Sequence, residues 1–353
     1  MNTASPTPSV PDRGGPAQPL LIVRNLKKHF AVRGSAFDRQ SKFVHAVDGV
    51  TFSVPKGKTL GIVGESGCGK STTARLVARL MDADSGNLIF DGEGVEEFRG
   101  LRLKEFRKNL QMVFQDSFAS LNPRLTIAET VAYGPRMHGV PAAKAAQQAR
   151  DLLARVGLEP QHFANRYPHE LSGGQRQRVN IARALAYDPR LVILDEAVAA
   201  LDKSVQVQVL NLLQELKAER QLTYLFISHD LHVVHYLSDY VMVMYLGQVI
   251  ESGPVEAIYG APAHPYTRAL LSAVPSMDPA QRTESSPLAG DPPNPINPPS
   301  GCRFRDRCPH AHAVCAQHVP VLAALGDKTE HVAACHINDP ASGHPEALME
   351  LKS

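Results

Sequence analysis

Residues 64–71 have the sequence GESGCGKS, which fits the pattern G-x-x-x-x-G-K-[ST] and lies between an apolar run at 60–63 and a helical stretch that begins at Ser71. Glycines in such a loop let backbone N–H groups turn toward phosphates, and the following helix offers its positive N-terminus. We expect Lys70 to reach the terminal phosphates and the Ser71 hydroxyl to bind Mg²⁺. A chance glycine-rich turn is the alternative, and the flanking elements disfavour it. The predicted nucleotide contacts are Gly64, Glu65, Ser66, Gly67, Cys68, Gly69, Lys70, Ser71 and Thr72.

A second part of the site is predicted at 191–196, where the apolar run LVIL ends in two adjacent carboxylates. Such a run is typical of a strand buried on both faces, and open α/β sheets bind ligands at the carboxyl ends of their strands. We expect Asp195 to orient the magnesium shell and Glu196 to polarise the attacking water. The alternative is a solvated pair of carboxylates that caps a helix.

The remaining pattern alternates strands with helices. Apolar strand-like runs lie at 20–23, 51–54, 60–63, 191–194 and 224–227, and helices are predicted at 142–156 and 204–220. This alternation predicts an α/β fold with a parallel sheet. The helix at 142–156, rich in Ala, Gln, Arg and Leu, predicts a helical subregion that interrupts the strands.

Residues 171–175, LSGGQ, precede a predicted helix at 176–187 and again place small residues at a helix N-terminus. This arrangement predicts a second anion site, formed by Ser172, Gly173, Gly174 and Gln175. One phosphate-binding loop suffices for most nucleotide hydrolases, so we expect the second loop to serve the nucleotide that another copy holds. The pattern therefore predicts a dimer.

These motifs, followed by ALD at 200–202 and SHD at 228–230, stand in an order and at spacings that resemble the ATP-binding subunits of ABC transporters. The resemblance covers about 20–260. It implies a P-loop ABC ATPase fold with a RecA-like α/β core, an antiparallel β subdomain and a helical subdomain. It also implies that two domains hold two ATP molecules head to tail, each between one chain's P-loop and the other's signature loop.

The resemblance assigns roles to single residues. Gln115 matches the residue that senses magnesium and water and faces the transmembrane partner, and His229 matches the switch histidine at the γ-phosphate. Asp202 would act across the dimer interface, and Phe30 would stack on adenine, with Phe43 as a competitor. The chain departs from the family at 197 and 199, where alanines replace the usual Pro and Ser, and we expect altered interface packing there.

Two further segments, VFQDSFASLNP at 113–123 and HPYTRALL at 264–271, resemble the oligopeptide and dipeptide importer ATPases. That branch works at the cytoplasmic face of bacterial inner membranes as a peripheral subunit. It pairs two related ATPase subunits with two permeases and, through them, a periplasmic solute-binding protein. Whether the second ATPase is an identical or a sister chain stays open. The identity of the solute also stays open, with dipeptides, oligopeptides, glutathione, opines and nickel chelates as candidates. The alternative is a soluble ABC ATPase that is not coupled to transport.

The tail carries four of the five cysteines, Cys302, Cys308, Cys315 and Cys335. Their spacing fits neither the usual zinc sites nor the ferredoxin run. The importer resemblance favours a [4Fe–4S] cluster on these four, while zinc and unligated cysteines remain alternatives. We expect a cluster to pin the tail without a part in ATP hydrolysis. Cys68 is interpreted as an inert small residue of the loop.

Composition limits the remaining choices. With 37 basic and 35 acidic side chains the formal charge is +2, which does not indicate a nucleic-acid partner. No run approaches the roughly 18 apolar residues that span a bilayer, so a transport role needs partners. The predicted divisions are a disordered arm at 1–19, an ATPase domain at 20–274 with its helical subdomain at about 116–180, a proline-rich linker at 275–300, a cysteine-rich module at 301–340 and a tail at 341–353.

Overall fold

A computed structural model describes residues 15, 17–32, 42–95, 97–273, 294–296, 298–326 and 328–348. Most of the predicted arm and of the predicted proline-rich linker lies outside the described residues, as do the last residues of the predicted tail. The description below concerns the described ranges.

Twelve strands run through the described residues: β1 Leu21–Val32, β2 Lys42–Val54, β3 Thr59–Val63, β4 Ser85–Phe90, β5 Glu93–Gly94, β6 Leu110–Val113, β7 Leu191–Asp195, β8 Thr223–Ile227, β9 Tyr240–Tyr245, β10 Gln248–Pro254, β11 Ala323–Leu325 and β12 Lys328–Ala333. The α-helices there are α1 Lys70–Val77, α2 Gly100–Asn109, α3 Ile127–Met137, α4 Ala142–Arg155, α5 Pro160–Phe163, α6 Gly173–Leu185, α7 Lys203–Arg220, α8 Leu231–Leu237, α9 Val255–Gly260, α10 Pro265–Ser272 and α11 Ala313–Gln317. The predicted strands and helices are confirmed, although β1 and β2 are much longer than the predicted runs at 20–23 and 51–54.

The main sheet has the order β11-β12-β10-β9-β3-β8-β7-β6. The pairs from β9 to β6 are parallel, and those from β9 to β11 are antiparallel. Every residue of β3, β7 and β8 is buried, as continuous apolar runs predict for strands covered on both faces. The predicted parallel α/β core is therefore confirmed.

A second, antiparallel sheet has the order β2-β1-β4-β5 and supplies the β subdomain. The long hairpin of β1 and β2 contains several register shifts, which increase its twist. Helices α3, α4 and α6 pack on one another between β6 and β7 in the chain. The capping box at the start of α3, in which Thr126 and Glu129 bond each other's backbone N–H, fixes where this helical region begins.

The C-terminal segment, defined here as the described residues from 298 onward, continues the main sheet. The sequence predicts a cysteine-rich module behind a linker, and in the structure β12 of this segment pairs with β10 at Glu251 and Ser252, and β11 pairs with β12. The reason is the free edge that β10 would otherwise present, which two further strands cover.

A buried carboxylate fastens this junction. Glu251 on β10 is fully buried, and its two oxygens accept hydrogen bonds from the backbone N–H groups of Ala263 and His264 at 2.7 and 2.9 Å. The ring of His331 on β12 lies 2.8 Å from the same carboxylate. Buried polar groups need such partners, so Glu251 ties β10, β12 and the approach to α10 together.

Among the helices in the described residues, none combines the length and the hydrophobicity that crossing a bilayer requires.

Replacing Glu251 by Ala should lower the free energy of unfolding by about 3 kcal/mol, because it strands two buried N–H groups and a buried histidine. Urea unfolding of the full chain measures this loss. Glu256→Ala on α9 is the matched control, since that side chain is 84% exposed and should cost little. Equal stability of the two variants would contradict the role given to Glu251.

Candidate functional site

The P-loop, residues 64–71, connects β3 to α1 at the carboxyl edge of the parallel strands. Two of its glycines cannot be replaced without a clash. Gly64 has φ 147° and a Cβ there would lie 2.2 Å from the carbonyl oxygen of Met244, while Gly69 has φ 108° and a Cβ would lie 2.1 Å from that of Ala46. The loop therefore approaches the neighbouring backbone so closely that only glycine fits.

Lys70 begins α1 and is 6% exposed. Its ammonium donates to the carbonyl oxygens of Gly64 at 2.7 Å and Glu65 at 2.9 Å, across the P-loop. This contact holds the charge over the concave side of the loop. The sulfur of Cys68 is buried and lies 3.8 Å from the same nitrogen.

The next residue of α1 reaches the end of β7. The hydroxyl of Ser71 donates to a carboxylate oxygen of Asp195 at 2.8 Å. Burial raises the pKa of Asp195, and the hydrogen bond from Ser71 acts in the opposite direction. The two oxygen-bearing residues predicted to share a magnesium ion are thus in direct contact.

Glu196 lies at the centre of a second cluster. Its backbone has φ 48°, a strained value for this residue type, and its N–H donates to the carbonyl oxygen of Ile227 at 2.9 Å. Its carboxylate accepts a hydrogen bond from Gln115 at 2.7 Å and lies 3.6 Å from a ring nitrogen of His229. The three residues that the sequence assigns to catalysis therefore meet.

Residues 171–175, the signature loop, form the N-terminus of α6. Ser172 is the N-cap: its hydroxyl accepts from the N–H of Gln175, whose side-chain oxygen accepts from the N–H of Ser172 at 2.9 Å. A Cβ on Gly174 would lie 2.4 Å from Val205 of α7. Within the part of the chain that is described, no hydrogen bond or ion pair joins this loop to the P-loop.

The remaining predicted contacts lie on the surface. Asp202 is exposed at the start of α7, where its carbonyl accepts the N–H of Gln206 at 2.8 Å. Phe30 and Phe43 are 40% and 41% exposed. Phe30 pairs with Val44 across the hairpin, so alternation puts Phe43 on the opposite face, and only one of the two phenylalanines can face a given ligand.

Two contacts of this site, both with Glu65, were not predicted from the sequence. Arg307, in the C-terminal segment, makes a two-pronged ion pair with Glu65 of the P-loop, at 2.8 and 2.9 Å. Tyr266 on α10 accepts the backbone N–H of Glu65 at 2.9 Å. No pattern in the sequence joins positions 242 residues apart, so these contacts were beyond sequence reasoning.

The four late cysteines line one enclosed cavity together with residues from α10 and the C-terminal segment, namely His264, Pro265, Phe304, Arg305, His310, His336, Ile337 and His344. Burial raises the pKa of Cys302 to about 11 and that of Cys335 to about 12, and it also raises the pKa of Cys308. The structure thus brings the predicted ligand set to one place.

Two family models match the chain. The ABC transporter model matches residues 47–199, and the model of the oligopeptide/dipeptide transporter C-terminal region matches residues 250–315. The first match holds the P-loop, the signature loop and Glu196. The second holds Arg307 and three of the four late cysteines.

Two solved structures share the fold. The cbiO1 protein of Clostridium perfringens, part of an ABC transporter complex, has a TM-score of 0.59 at 28% identity and covers 69% of this chain and 91% of its own. The dimeric ATP-binding cassette MJ0796, bound to ADP and Pi, has a TM-score of 0.59 at 26% identity. The match covers 67% of this chain and 98% of MJ0796.

Two curated relatives match most of the chain. The oligopeptide transport ATP-binding protein AppF of Bacillus subtilis is 49% identical over 322 residues, 90% of this chain and 97% of AppF. The oligopeptide transport ATP-binding protein OppF of Salmonella typhimurium is 47% identical over 329 residues, which are 91% of this chain and 97% of OppF. With the P-loop, Asp195, Glu196 and His229 at one edge of an α/β sheet, these matches show that the chain is an ATPase of the ABC transporter family and belongs to its oligopeptide/dipeptide branch.

Proposed function

We propose that the chain hydrolyses ATP to energise the import of di- or oligopeptides. The observation that carries this proposal is the meeting of Gln115, Glu196 and His229 beside the contact of Ser71 with Asp195. The oligopeptide transport relatives supply the solute class.

ATP would bind with its phosphates in the P-loop. The N–H groups of the loop and the N-terminus of α1 provide donors, and Lys70 has a third ammonium hydrogen beyond the two directed at Gly64 and Glu65. Phe30 would stack on the adenine ring. Its exposure on the β1–β2 hairpin supports this role.

The residues present fit a magnesium ion. Mg²⁺ prefers oxygen ligands, and the hydroxyl of Ser71 lies 2.8 Å from the carboxylate of Asp195. The side chain of Gln115, the third proposed ligand, reaches Glu196 of the neighbouring cluster. A magnesium ion held by these residues would supply positive charge against the charge that develops on the transferred phosphate.

Glu196 would act as the base that orients and deprotonates the attacking water. Gln115 and His229 contact its carboxylate, so they fix its direction, and the carbonyl of Ile227 fixes its strained backbone. His229 would also contact the γ-phosphate. Its side chain is 61% exposed, which leaves it free to reach a nucleotide.

The signature loop would complete the site of a second ATPase subunit. Ser172, Gly173, Gly174 and Gln175 present N–H groups at the start of α6, and Asp202 is exposed nearby in the chain, as residues of an interface between two chains need to be. The neighbouring cassette MJ0796 is a dimer. The partner is a second copy or a related sister chain.

The permeases would contact the helical region beside Gln115. Large apolar side chains are exposed there, with Phe118 at 52%, Tyr133 at 55% and Met137 at 63%. Through two permeases the subunit would work with a periplasmic solute-binding protein. It would lie peripherally on the cytoplasmic face of the bacterial inner membrane.

The cysteine cavity would hold a [4Fe–4S] cluster as a structural pin. Four thiols from three parts of the C-terminal segment converge, which matches the donor set of such clusters. His344 is a poor substitute for a thiol, since one of its ring nitrogens bonds the carbonyl of His310 at 2.9 Å and the other accepts the backbone N–H of Glu346 at 3.2 Å.

The four thiols are not arranged as the ligands of a single zinc ion. Among the described residues, no three of these sulfurs lie within 4.8 Å of one another, whereas a zinc tetrahedron with bonds of about 2.3 Å needs them closer. The free space in the cavity is about 10 Å³, so the cysteine loops would have to move outward to admit the cube.

Replacing Glu196 by Gln should lower turnover by about 10²–10⁴-fold while ATP still binds, because the amide keeps the size of the side chain but cannot take a proton. Phosphate release and ATP titration measure the two effects. We also expect the dimer to stay closed around ATP. Hydrolysis near the wild-type rate would remove Glu196 from the mechanism.

Peptide import should depend on this chain and on Lys70. In a strain that lacks the gene, the wild-type chain should restore uptake of a labelled oligopeptide, and Lys70→Ala should not, because it deletes the charge that faces the phosphates. Lys104→Ala, an exposed lysine of α2, is the control and should restore uptake. Uptake with Lys70→Ala, or restored uptake of another solute alone, would contradict the proposal.

Protein purified without oxygen should be brown, with broad absorbance near about 400 nm and about four irons per chain. Cys315→Ser should bleach it, since the thiolate is a ligand. Cys68→Ser is the control, because that sulfur lies in the P-loop, and it should keep the iron. One zinc per chain, or no metal, would overturn the cluster.

A further inference from the structure

A short turn of the C-terminal segment lies against the P-loop. It is a 3₁₀ turn, Arg305–Arg307, between Cys302 and Cys308. The guanidinium of Arg307 donates to both carboxylate oxygens of Glu65, at 2.8 and 2.9 Å, and to the hydroxyl of Tyr245 at 3.3 Å. The Arg307 side chain is only 6% exposed, so this is a largely desolvated, two-pronged pair.

The turn is seated firmly. Phe304, the residue before it, is 2% exposed and packs edge-on against Tyr245 and Tyr266, with both ring centroids 5.4 Å away. The N–H of Arg307 donates to the carbonyl of Phe304 at 3.0 Å. The aromatic cluster therefore fixes the direction in which Arg307 leaves the turn.

Glu65 in turn contacts the lysine of the P-loop. Its carboxylate is held by Arg307 and its N–H by Tyr266. Its carbonyl accepts from Lys70 at 2.9 Å. A shift of Glu65 would therefore move the ammonium that is proposed to meet the phosphates.

The same segment reaches the P-loop by a second route. Arg303, 8% exposed, donates to the carbonyl of Leu246 and to Asp48. Gly247, next to that carbonyl, donates to the carbonyl of Cys68 at 2.9 Å, and Asp48 donates its N–H to Gly247 at 2.8 Å. The C-terminal segment thus braces the loop at two points.

We propose that Arg307 is a positioning residue of the P-loop, through which the C-terminal segment sets the affinity for ATP. The proposal rests on the assignment of residues 64–71 as the ATP-binding loop. Arg307 holds Glu65 in place and neutralises a carboxylate that would otherwise repel the phosphates.

The test is titration of the full chain with the magnesium complex of a non-hydrolysable ATP analogue. Arg307→Ala should raise the dissociation constant about tenfold. This is the change expected if the loop of the variant adopts its binding conformation only about a tenth of the time. Arg307→Lys keeps the positive charge but loses the two-pronged pair with Glu65, so its dissociation constant should lie between those of the wild type and Arg307→Ala. Arg305→Ala is the control, since that guanidinium bonds Ser300 in its own segment.

Further readouts separate positioning from general stability. Arg307→Ala should raise the KM for ATP with kcat changed less than about twofold, because saturating ATP orders the loop. Combined with Glu65→Gln it should bind the analogue more tightly than Arg307→Ala alone, since the unpaired carboxylate is gone.

Binding by Arg307→Ala within twofold of the wild type, or losses in the two single variants that simply add, would overturn the proposal. The variant Lys70→Ala distinguishes a failure of the positioning role of Arg307 from a failure of the assignment of residues 64–71 as the ATP-binding loop. If Lys70→Ala loses the analogue while Arg307→Ala does not, only the positioning role fails; if Lys70→Ala binds normally, the P-loop assignment fails.

Discussion

The parallel pairing of β3, β8 and β7 is the constraint on which the site depends. Because the three strands run the same way, their carboxyl ends meet at one edge. The P-loop follows β3, Asp195 ends β7, and His229 follows β8. The contacts of Ser71 with Asp195 and of Glu196 with His229 are consequences of that shared direction, and a slip of register between these strands would separate them.

The sequence was sufficient for this core because its signals are local. Each strand is a short apolar run, and each motif lies directly after one, so the carboxyl edge could be predicted without knowing the fold. The helix at 142–156 was equally visible, from helix propensity alone, and is observed as Ala142–Arg155. The role of Gln115 needed more, since it was inferred from the resemblance to a family and not from any local pattern, and its contact with Glu196 is known only from the structure.

The strands of the C-terminal segment could not be predicted from the sequence. Its cysteines and prolines indicated a cysteine-rich module behind a linker. No sequence pattern within 323–333 predicted the two edge strands, β11 and β12. What joins them to the sheet is the pairing of β12 with β10 and the buried Glu251, whose partners come from Ala263, His264 and His331. Polar contacts between residues far apart in the chain leave no periodic pattern in the sequence, so they cannot be predicted from it. The left-handed backbone of Glu196 is a similar case, because the structure around it, and not its own propensity, imposes it.

The brace on the P-loop works in both directions. If the position of Arg307 raises the affinity for ATP, bound ATP must favour the docked turn by the same factor, because coupling free energies are reciprocal. The turn carries its own anchors, the ring of Phe304 and the buried guanidinium of Arg303, so the docked position does not depend on the nucleotide alone. A metal on the flanking Cys302 and Cys308 would restrict the same turn further. The ATP site and the cysteine cavity are therefore linked through one short stretch of backbone, 303–307, the five residues between Cys302 and Cys308.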